Sequence, residues 1–279
     1  MNVREALREA IERLTLNRFE EAPLEAELLL RHLLGIGRAE LHIRLEDSLS
    51  AEQTQELDHL IRRRLSHEPI AYITDHKEFF GLDLRVSCDT LIPRPQTELM
   101  VEKALELASN RTSLAIADVG TGCGAIAIAL AVHLPQAEVY AVDISAAALE
   151  VAALNCERHR VTSRVHLLHG DLLRPLAKVG LILANLPYVN DREMEELSDD
   201  VCLFEPAIAL SGGSDGLRLI GQLLAQAEDK LCPGGVILLE ISPGQRAAVV
   251  DLASRHFPGA MVKVLPDLDG DDRVLVIET

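Results

Sequence analysis

The 279-residue chain carries 44 acidic against 27 basic side chains, and its net charge of −17 opposes long-range attraction to phosphate backbones, which excludes a broad nucleic-acid-binding surface. Hydrophobic residues make up 48% of the chain but aromatics only 3%, so a core large enough for one big domain, or a small domain joined to a larger one, must be built from Leu, Ile, Val and Ala. The five cysteines are odd in number, widely spaced and never C-x-x-C, and no stretch of about 18 uncharged apolar residues occurs, so the expectation is a cytoplasmic protein with free thiols, no zinc ribbon and no membrane attachment.

In chain order, residues 3 to about 65 place apolar side chains at helical spacing, as in Ala6, Ala10 and Leu14 and again in Leu24, Leu28, Leu29 and Leu33. This predicts a small helical bundle, interrupted at Gly35 and Gly37 and restarted at Ser50, where Ser50-x-x-Gln53 matches a capping box. The basic run Arg62-Arg63-Arg64 reads as a solvated helix face. Residues 72–92 switch to alternation, with Phe80, Leu82, Leu84 and Val86 on one side and Gly81 at a turn, so a β-hairpin is expected to link the bundle (1–71) to a larger domain (93–279). Pro93-Arg94-Pro95 stiffens the entry to a helix from about Thr97 to Ala108. Beyond residue 113, strands are expected at 114–119, 138–142, 165–168, 180–184, 236–241, 260–265 and 273–277, with helices filling the gaps between the first five. That alternation predicts an α/β fold, a mostly parallel Rossmann-like sheet covered on both faces, with ligands at the carboxyl ends of its strands. His166 and His169 straddle a strand end rather than sharing a helix face, so they read as ordinary polar residues and not metal ligands. The acidic run Asp267 to Asp272 lacks calcium-loop spacing and reads as a hairpin turn.

The first strand of the α/β region runs into Asp118-Val119-Gly120-Thr121-Gly122-Cys123-Gly124, followed at once by the helical run Ala125 to Val132. Glycines let the backbone turn sharply and bring a ligand close to a helix N-terminus, so Gly120, Thr121, Gly122, Cys123 and Gly124 are candidate cofactor contacts. Gly120, Gly122 and Ala125 also satisfy the dinucleotide pattern G-x-G-x-x-A, which keeps a nicotinamide-dependent oxidoreductase open at this point. Asp143 closes the second strand roughly 20 residues later, the separation at which a carboxylate accepts from ribose hydroxyls. At the end of the third strand, Asp171 can accept from an adenine amino group while Leu172 packs on the ring.

The fourth strand leads directly into Asn185-Leu186-Pro187-Tyr188. A planar amine or amide nitrogen is a poor nucleophile because its lone pair is delocalised, so a site that methylates it must hold its hydrogens and steer the lone pair. Two acceptors are needed, and the side-chain oxygen of Asn185 and the backbone carbonyl of Leu186 can supply them. Pro187 fixes the turn and Tyr188 offers a face for the planar group, which makes Asn185, Leu186, Pro187 and Tyr188 the candidate catalytic and substrate-binding residues, with Asn185 also a candidate cofactor contact. Alignment and carbonyl dipoles dominate such an in-line displacement, and no metal, nucleophilic Ser or Cys, or strong base is called for.

These residues resemble the [D/N/S]-P-P-[Y/F/W] methyltransferases that act on amino groups, and more narrowly the release-factor glutamine methyltransferase family (PrmC or HemK). Four blocks carry the narrower resemblance: Thr90 to Glu98, Asp118 to Ala125 with Ala141 to Ser145, Asn185 to Tyr188, and Phe204 to Ala207 with Gly213 to Gly216. The resemblance implies a seven-stranded class I methyltransferase domain preceded by a helical substrate-recognition domain. It implies S-adenosyl-L-methionine as methyl donor and, as protein partner, class I peptide-chain release factors methylated on the side-chain nitrogen of the Gly-Gly-Gln glutamine, which modulates translation termination. Leu186 stands where the family usually has proline and produces N-L-P-Y, the form of RNA adenine dimethyltransferases, so an N6-adenine methyltransferase acting on RNA or DNA is the competing reading. The net charge and the Thr90 to Glu98 block oppose it. Gln96 stands where an acidic residue is usual.

Overall fold

Capping chemistry sets the start of two N-terminal helices. Asn2 accepts from the Glu5 N–H at 2.8 Å while the Glu5 carboxylate accepts from the Asn2 N–H at 2.9 Å, opening α1 (Val3–Leu16). Then follow α2 (Ala22–Leu34), ended by Gly35 at φ 63°, and the short α3 (Arg38–Ile43). The expected capping box of Ser50 and Gln53 is formed at the head of α4 (Ala51–Leu65), and α5 (Ile70–Thr74) follows. The computed structural model describes residues 1–109 and 114–279 and divides into two units, Met1–His76 with Ser198–Phe204, and Lys77–Leu197 with Glu205–Thr279. In the first unit Val3, Ala6, Ala10 and Leu14 line one face of α1 and share a core with Leu29, Leu30, Leu41, Leu60 and Ile61.

β1 (His76–Phe79), which lies in the second unit from Lys77 onward, and β2 (Leu82–Arg85) form the hairpin, shorter than the alternation suggested because residues 72–74 belong to α5. Phe80 is not part of the buried stripe. It and Gly81 make the turn, with φ 52° and 72°, while Phe79 takes the buried place beside Leu84 and Val86. The Glu98 carboxylate accepts from the Phe80 N–H at 2.8 Å, which helps hold a bulky residue in the left-handed region. Glu98 begins α6 (Glu98–Ala108), after a single 3₁₀ turn over Pro95–Thr97.

The main sheet begins with β3 (Leu114–Val119), α7 (Ala125–His133), β4 (Ala137–Asp143), α8 (Ala146–Arg158), β5 (Val165–His169) and β6 (Val179–Ala184). The chain continues through β7 (Val189–Asn190) and β8 (Ser211–Gly213), which pair in a small sheet of their own, with α9 (Asp199–Phe204, in the first unit) between them, and then α10 (Arg218–Lys230), β9 (Leu231–Glu240), α11 (Arg246–His256), β10 (Met261–Pro266) and β11 (Asp272–Glu278). Seven strands pair in the order β10-β11-β9-β6-β3-β4-β5, parallel from β9 to β5 and antiparallel at β11 and β10. The chain winds outward from β3 through β4 and β5, then returns to the other side of β3 with β6. That reversal opens a crevice at the strand carboxyl ends, where ligands bind in doubly wound sheets. Ala125 to Ala131 are all buried in α7, which explains its unbroken apolar run.

Two expectations are corrected. No helix fills the gap between β5 and β6, since residues 170–178 make only turns before the chain re-enters the sheet. The run Arg62-Arg63-Arg64 is not uniformly solvated, because Leu57, Leu60, Ile61 and Arg64 continue one buried stripe at helical spacing. Arg64 is 5% exposed, pairs with Glu25 at 2.9 Å and with Asp200 of α9 at 2.8 Å, and lies 4.1 Å from the Phe19 ring centre. Asp267 accepts from the Asp269 and Asp271 N–H groups, so the acidic run does form the turn joining β10 to β11. Among the described residues all five cysteines are free, and no helix is long and apolar enough to cross a membrane.

Candidate active site

The β3–α7 connection is shaped by three residues in the left-handed region, Gly120, Gly122 and Gly124, at φ 74°, 56° and 86°. Their purposes differ. A side chain at Gly122 would project from the wall of a cavity of about 380 Å³ without meeting a heavy atom within 4 Å. One at Gly124 would press on Ile128 at 3.0 Å and Ala152 at 3.3 Å, behind the loop, so Gly124 serves helix packing and does not line the cavity. Gly120 faces the Asn185–Tyr188 turn, where an added carbon would lie 3.2 Å from the Leu186 side chain and 3.6 Å from the Asn185 carbonyl.

Beneath the loop, Asp118 is fully buried and its Oδ2 accepts from the Thr121 hydroxyl at 2.6 Å and the Ala127 N–H at 3.0 Å, while Oδ1 has no hydrogen-bond partner. Burial pushes this carboxyl up to about 6, and the nearby charge of Asp143 adds to the rise. Burial also raises the Cys123 thiol to about 12, which leaves it an uncharged packing group. From α8, buried Asn155 donates to the carbonyls of Cys123 at 2.9 Å and Arg85 at 2.8 Å and accepts from the Arg85 N–H at 2.7 Å.

Asp143 accepts from the N–H groups of Gly122 at 2.8 Å and Ser145 at 2.9 Å. Each oxygen keeps a lone pair for a further donor, as a ribose diol requires. Leu172 lines the cavity at φ 53°, a costly conformation for a branched side chain and one found where a site constrains the backbone. Ile144, 55% exposed and not singled out by the sequence, lines the same cavity, so the two offer apolar surface for a ring. Asp171 also lines the cavity and pairs with Arg174 at 3.1 Å. A glycine wall open to close approach, a preset carboxylate and two apolar faces fit a nucleoside-bearing cofactor.

After β6, Asn185, Leu186 and Pro187 line the same cavity, whereas Tyr188 does not. The Tyr188 hydroxyl donates to Glu240 Oε1 at 3.1 Å, and its ring packs against the core. Glu240 ends β9 at 2% exposure, and its Oε2 accepts from the Thr97 hydroxyl at 2.6 Å. Thr97 Oγ1 in turn accepts from Asn185 Nδ2 at 3.2 Å. Burial holds the Glu240 carboxyl above its usual range, opposed by the two hydroxyls and by the charges of Arg273 and Arg94, and burial together with the neighbouring Glu240 also raises the Tyr188 phenol.

Glycines back this turn. A side chain at Gly212 would stand 2.7 Å from the Pro187 carbonyl, and one at Gly216 would collide with the Tyr188 carbonyl, which accepts from Gln245 Nε2 at 3.0 Å. Arg94 pairs with buried Glu205 at 2.5 Å, joining two blocks that are far apart in the chain. Gln96 is exposed. Sequence reasoning missed Thr97 as a site residue, and with it Glu240, Gln245 and Asn155. The readable trace was Glu240, a carboxylate closing the otherwise apolar run Val236 to Leu239.

Residues 5–74 match the PrmC N-terminal domain and residues 96–201 the methyltransferase small domain. The chain is 44% identical over 275 residues to the release factor glutamine methyltransferase of Moorella thermoacetica, covering 98% of this chain and 97% of that one. It is 36% identical over 266 residues to the release factor glutamine methyltransferase of Rhodopirellula baltica, covering 93% and 90%. Among solved structures, a methyltransferase from Pyrococcus furiosus shares the fold at a TM-score of 0.54 and 21% identity, over 78% of this chain and 96% of that one. With relatedness running along nearly the whole of both chains, this protein belongs to the release factor glutamine methyltransferase family.

Proposed function

We propose that this protein transfers the methyl group of S-adenosyl-L-methionine to the side-chain amide nitrogen of the Gly-Gly-Gln glutamine in class I peptide-chain release factors. One observation carries the reading: the glycine loop and the acceptor turn meet at Gly120, whose missing side chain admits Leu186, so the two half-sites open on one cavity. Gly120, Thr121, Gly122 and Cys123 would flank the cofactor, Asp143 would accept from its ribose, and Leu172 would pack on its base with Asp171 beside it. When bound, the cofactor supplies an electrophilic methyl carbon on a sulfonium whose sulfur keeps the bonding electron pair as the new N–C bond forms.

Asn185 Oδ1 and the Leu186 carbonyl would each accept one hydrogen of the substrate amide and turn its lone pair toward that carbon. As positive charge moves onto nitrogen, both carbonyl dipoles strengthen, which is a gain specific to the transition state. The surplus N–H proton leaves to water. Pro187 holds the turn, and Tyr188, anchored through its hydroxyl, would border the approach of the glutamine. Release-factor recognition we assign to the helical unit.

The test is mass spectrometry of release factors incubated with enzyme and cofactor, with one added methyl group expected on the Gly-Gly-Gln glutamine. Methyl label appearing in RNA or DNA while release factor stays unmodified would overturn the reading. Asn185→Ala should leave less than about a tenth of the activity, a loss exceeding roughly 1.4 kcal/mol of barrier stabilisation.

A further inference from the structure

We infer that Thr97 and Glu240 are positioning residues that fix which way round the Asn185 side-chain amide is held, and so whether the acceptor nitrogen meets an oxygen or an NH₂ group. This rests on the reading of Asn185 as an acceptor of the substrate amide. An amide can be turned over with little change of shape, yet only one orientation helps. With Oδ1 presented, the substrate N–H groups find an acceptor. With Nδ2 presented, donor faces donor and the lone pair is drawn into the wrong bond.

The hydrogen-bond chain removes that freedom by counting protons. Glu240 accepts on both oxygens, taking the hydroxyl hydrogens of Thr97, at 2.6 Å, and of Tyr188, at 3.1 Å. A threonine hydroxyl has a single hydrogen. Once it is given to Glu240, Thr97 Oγ1 can only accept from Asn185, 3.2 Å away, and the amide must turn Nδ2 toward it. Oδ1 is then the branch left for substrate. The direction of each bond follows from the one before, and it begins at a carboxylate that is 2% exposed.

Placement supports a positioning role over plain packing. Thr97 is 3% exposed yet lines the cavity beside Asn185, on the block leading into α6. Glu240 sits at the carboxyl end of β9, next to β6, which delivers Asn185. Burying a carboxylate is expensive, and an apolar residue would finish the run Val236 to Leu239 at lower cost. The same carboxylate anchors Tyr188, so both ends of the acceptor turn answer to one group.

The experiment compares Thr97→Val, which keeps the shape and deletes the hydroxyl, with Thr97→Ser, which keeps the hydroxyl, and with Glu240→Gln, which keeps the shape but adds donors. Thr97→Val and Glu240→Gln should lower kcat by about tenfold or more, with KM for release factor and cofactor affinity nearly unchanged and no loss of Tm, and Thr97→Ser should return kcat to within about threefold of the parent. The inference is overturned if Thr97→Val keeps kcat within about threefold of the parent, or if Thr97→Ser is no better than Thr97→Val. Should Thr97→Val fail to fold, Glu240→Gln decides on the same threshold. Asn185→Ala, measured alongside, separates the two ideas: an active Asn185→Ala protein removes the acceptor reading itself, whereas an inactive one beside an active Thr97→Val removes only the Thr97–Glu240 device.

Discussion

The glycine loop and the acceptor turn face each other across one cavity but are built in opposite ways. The loop is local, with its shape set by three glycines within five residues and by Asp143 at the end of the neighbouring strand. The turn is assembled from a distance, since Asn185 and Tyr188 are held by Thr97, Glu240 and Gln245 and given room by Gly212 and Gly216. A loop proposed to hold a nucleoside through its backbone needs mainly the right φ angles. A turn that must orient one planar nitrogen needs side chains fixed in direction, and only neighbours brought in by the tertiary fold can fix them.

Several substitutions would break or sharpen that contrast. The largest free-energy effect is expected beneath the loop, at Asp118, whose carboxyl is raised from 3.8 to about 6. A raised carboxyl favours the protonated folded state, so its stabilising contribution is complete below about pH 4 and is lost as pH rises through about 6, by roughly 3 kcal/mol. Asp118→Asn should therefore make the ligand-free protein more stable in urea at pH 7.5, with the advantage fading by pH 4; an advantage independent of pH would remove the explanation. On the turn side, Gly216→Ala places a carbon against the Tyr188 carbonyl at φ 73°, and should lower kcat about 100-fold, or roughly 2.7 kcal/mol, while calorimetry finds cofactor affinity nearly unchanged.

Asp143→Ala should show the reverse pattern, weakening cofactor binding about tenfold or more through lost charged hydrogen bonds while leaving release-factor KM alone. Equal effects on both ligands would mean that the two half-sites are not separable. The smallest change is expected for Leu186→Pro, which keeps the carbonyl, the only part of this residue the proposed chemistry uses; activity should change by less than about threefold. A larger loss would assign a role to the leucine side chain seated against Gly120.

This division also explains what could be read from the sequence. The seven strands, the loop Gly120 to Gly124 and the strand-end Asp143 are written in contiguous residues, because a positive φ demands glycine and a buried strand demands an apolar run. Asn185 to Tyr188 was equally legible as a motif. Its supports were not, since Thr97 and Glu240 are 143 positions apart, and a carboxylate closing an apolar run signals a buried partner without saying which one. Arg64 escaped for a related reason: a charge on a buried stripe looks solvated until Glu25, Asp200 and Phe19 are found around it. The absent helix after β5 was a matter of length, since the turns of residues 170–178 already return the chain to β6.

Asn155 gives the loop one further property. Its amide bonds the Arg85 backbone in both directions and spends its remaining hydrogen on the Cys123 carbonyl, so the side chain behaves as a spliced-in peptide unit between hairpin and loop. Backbone that borrows its partner this way also borrows its partner's order. Fraying of the hairpin would free the Asn155 amide and release the Cys123 carbonyl with it, so the rigidity of the glycine loop is underwritten by two short strands that are not among the residues lining the cavity.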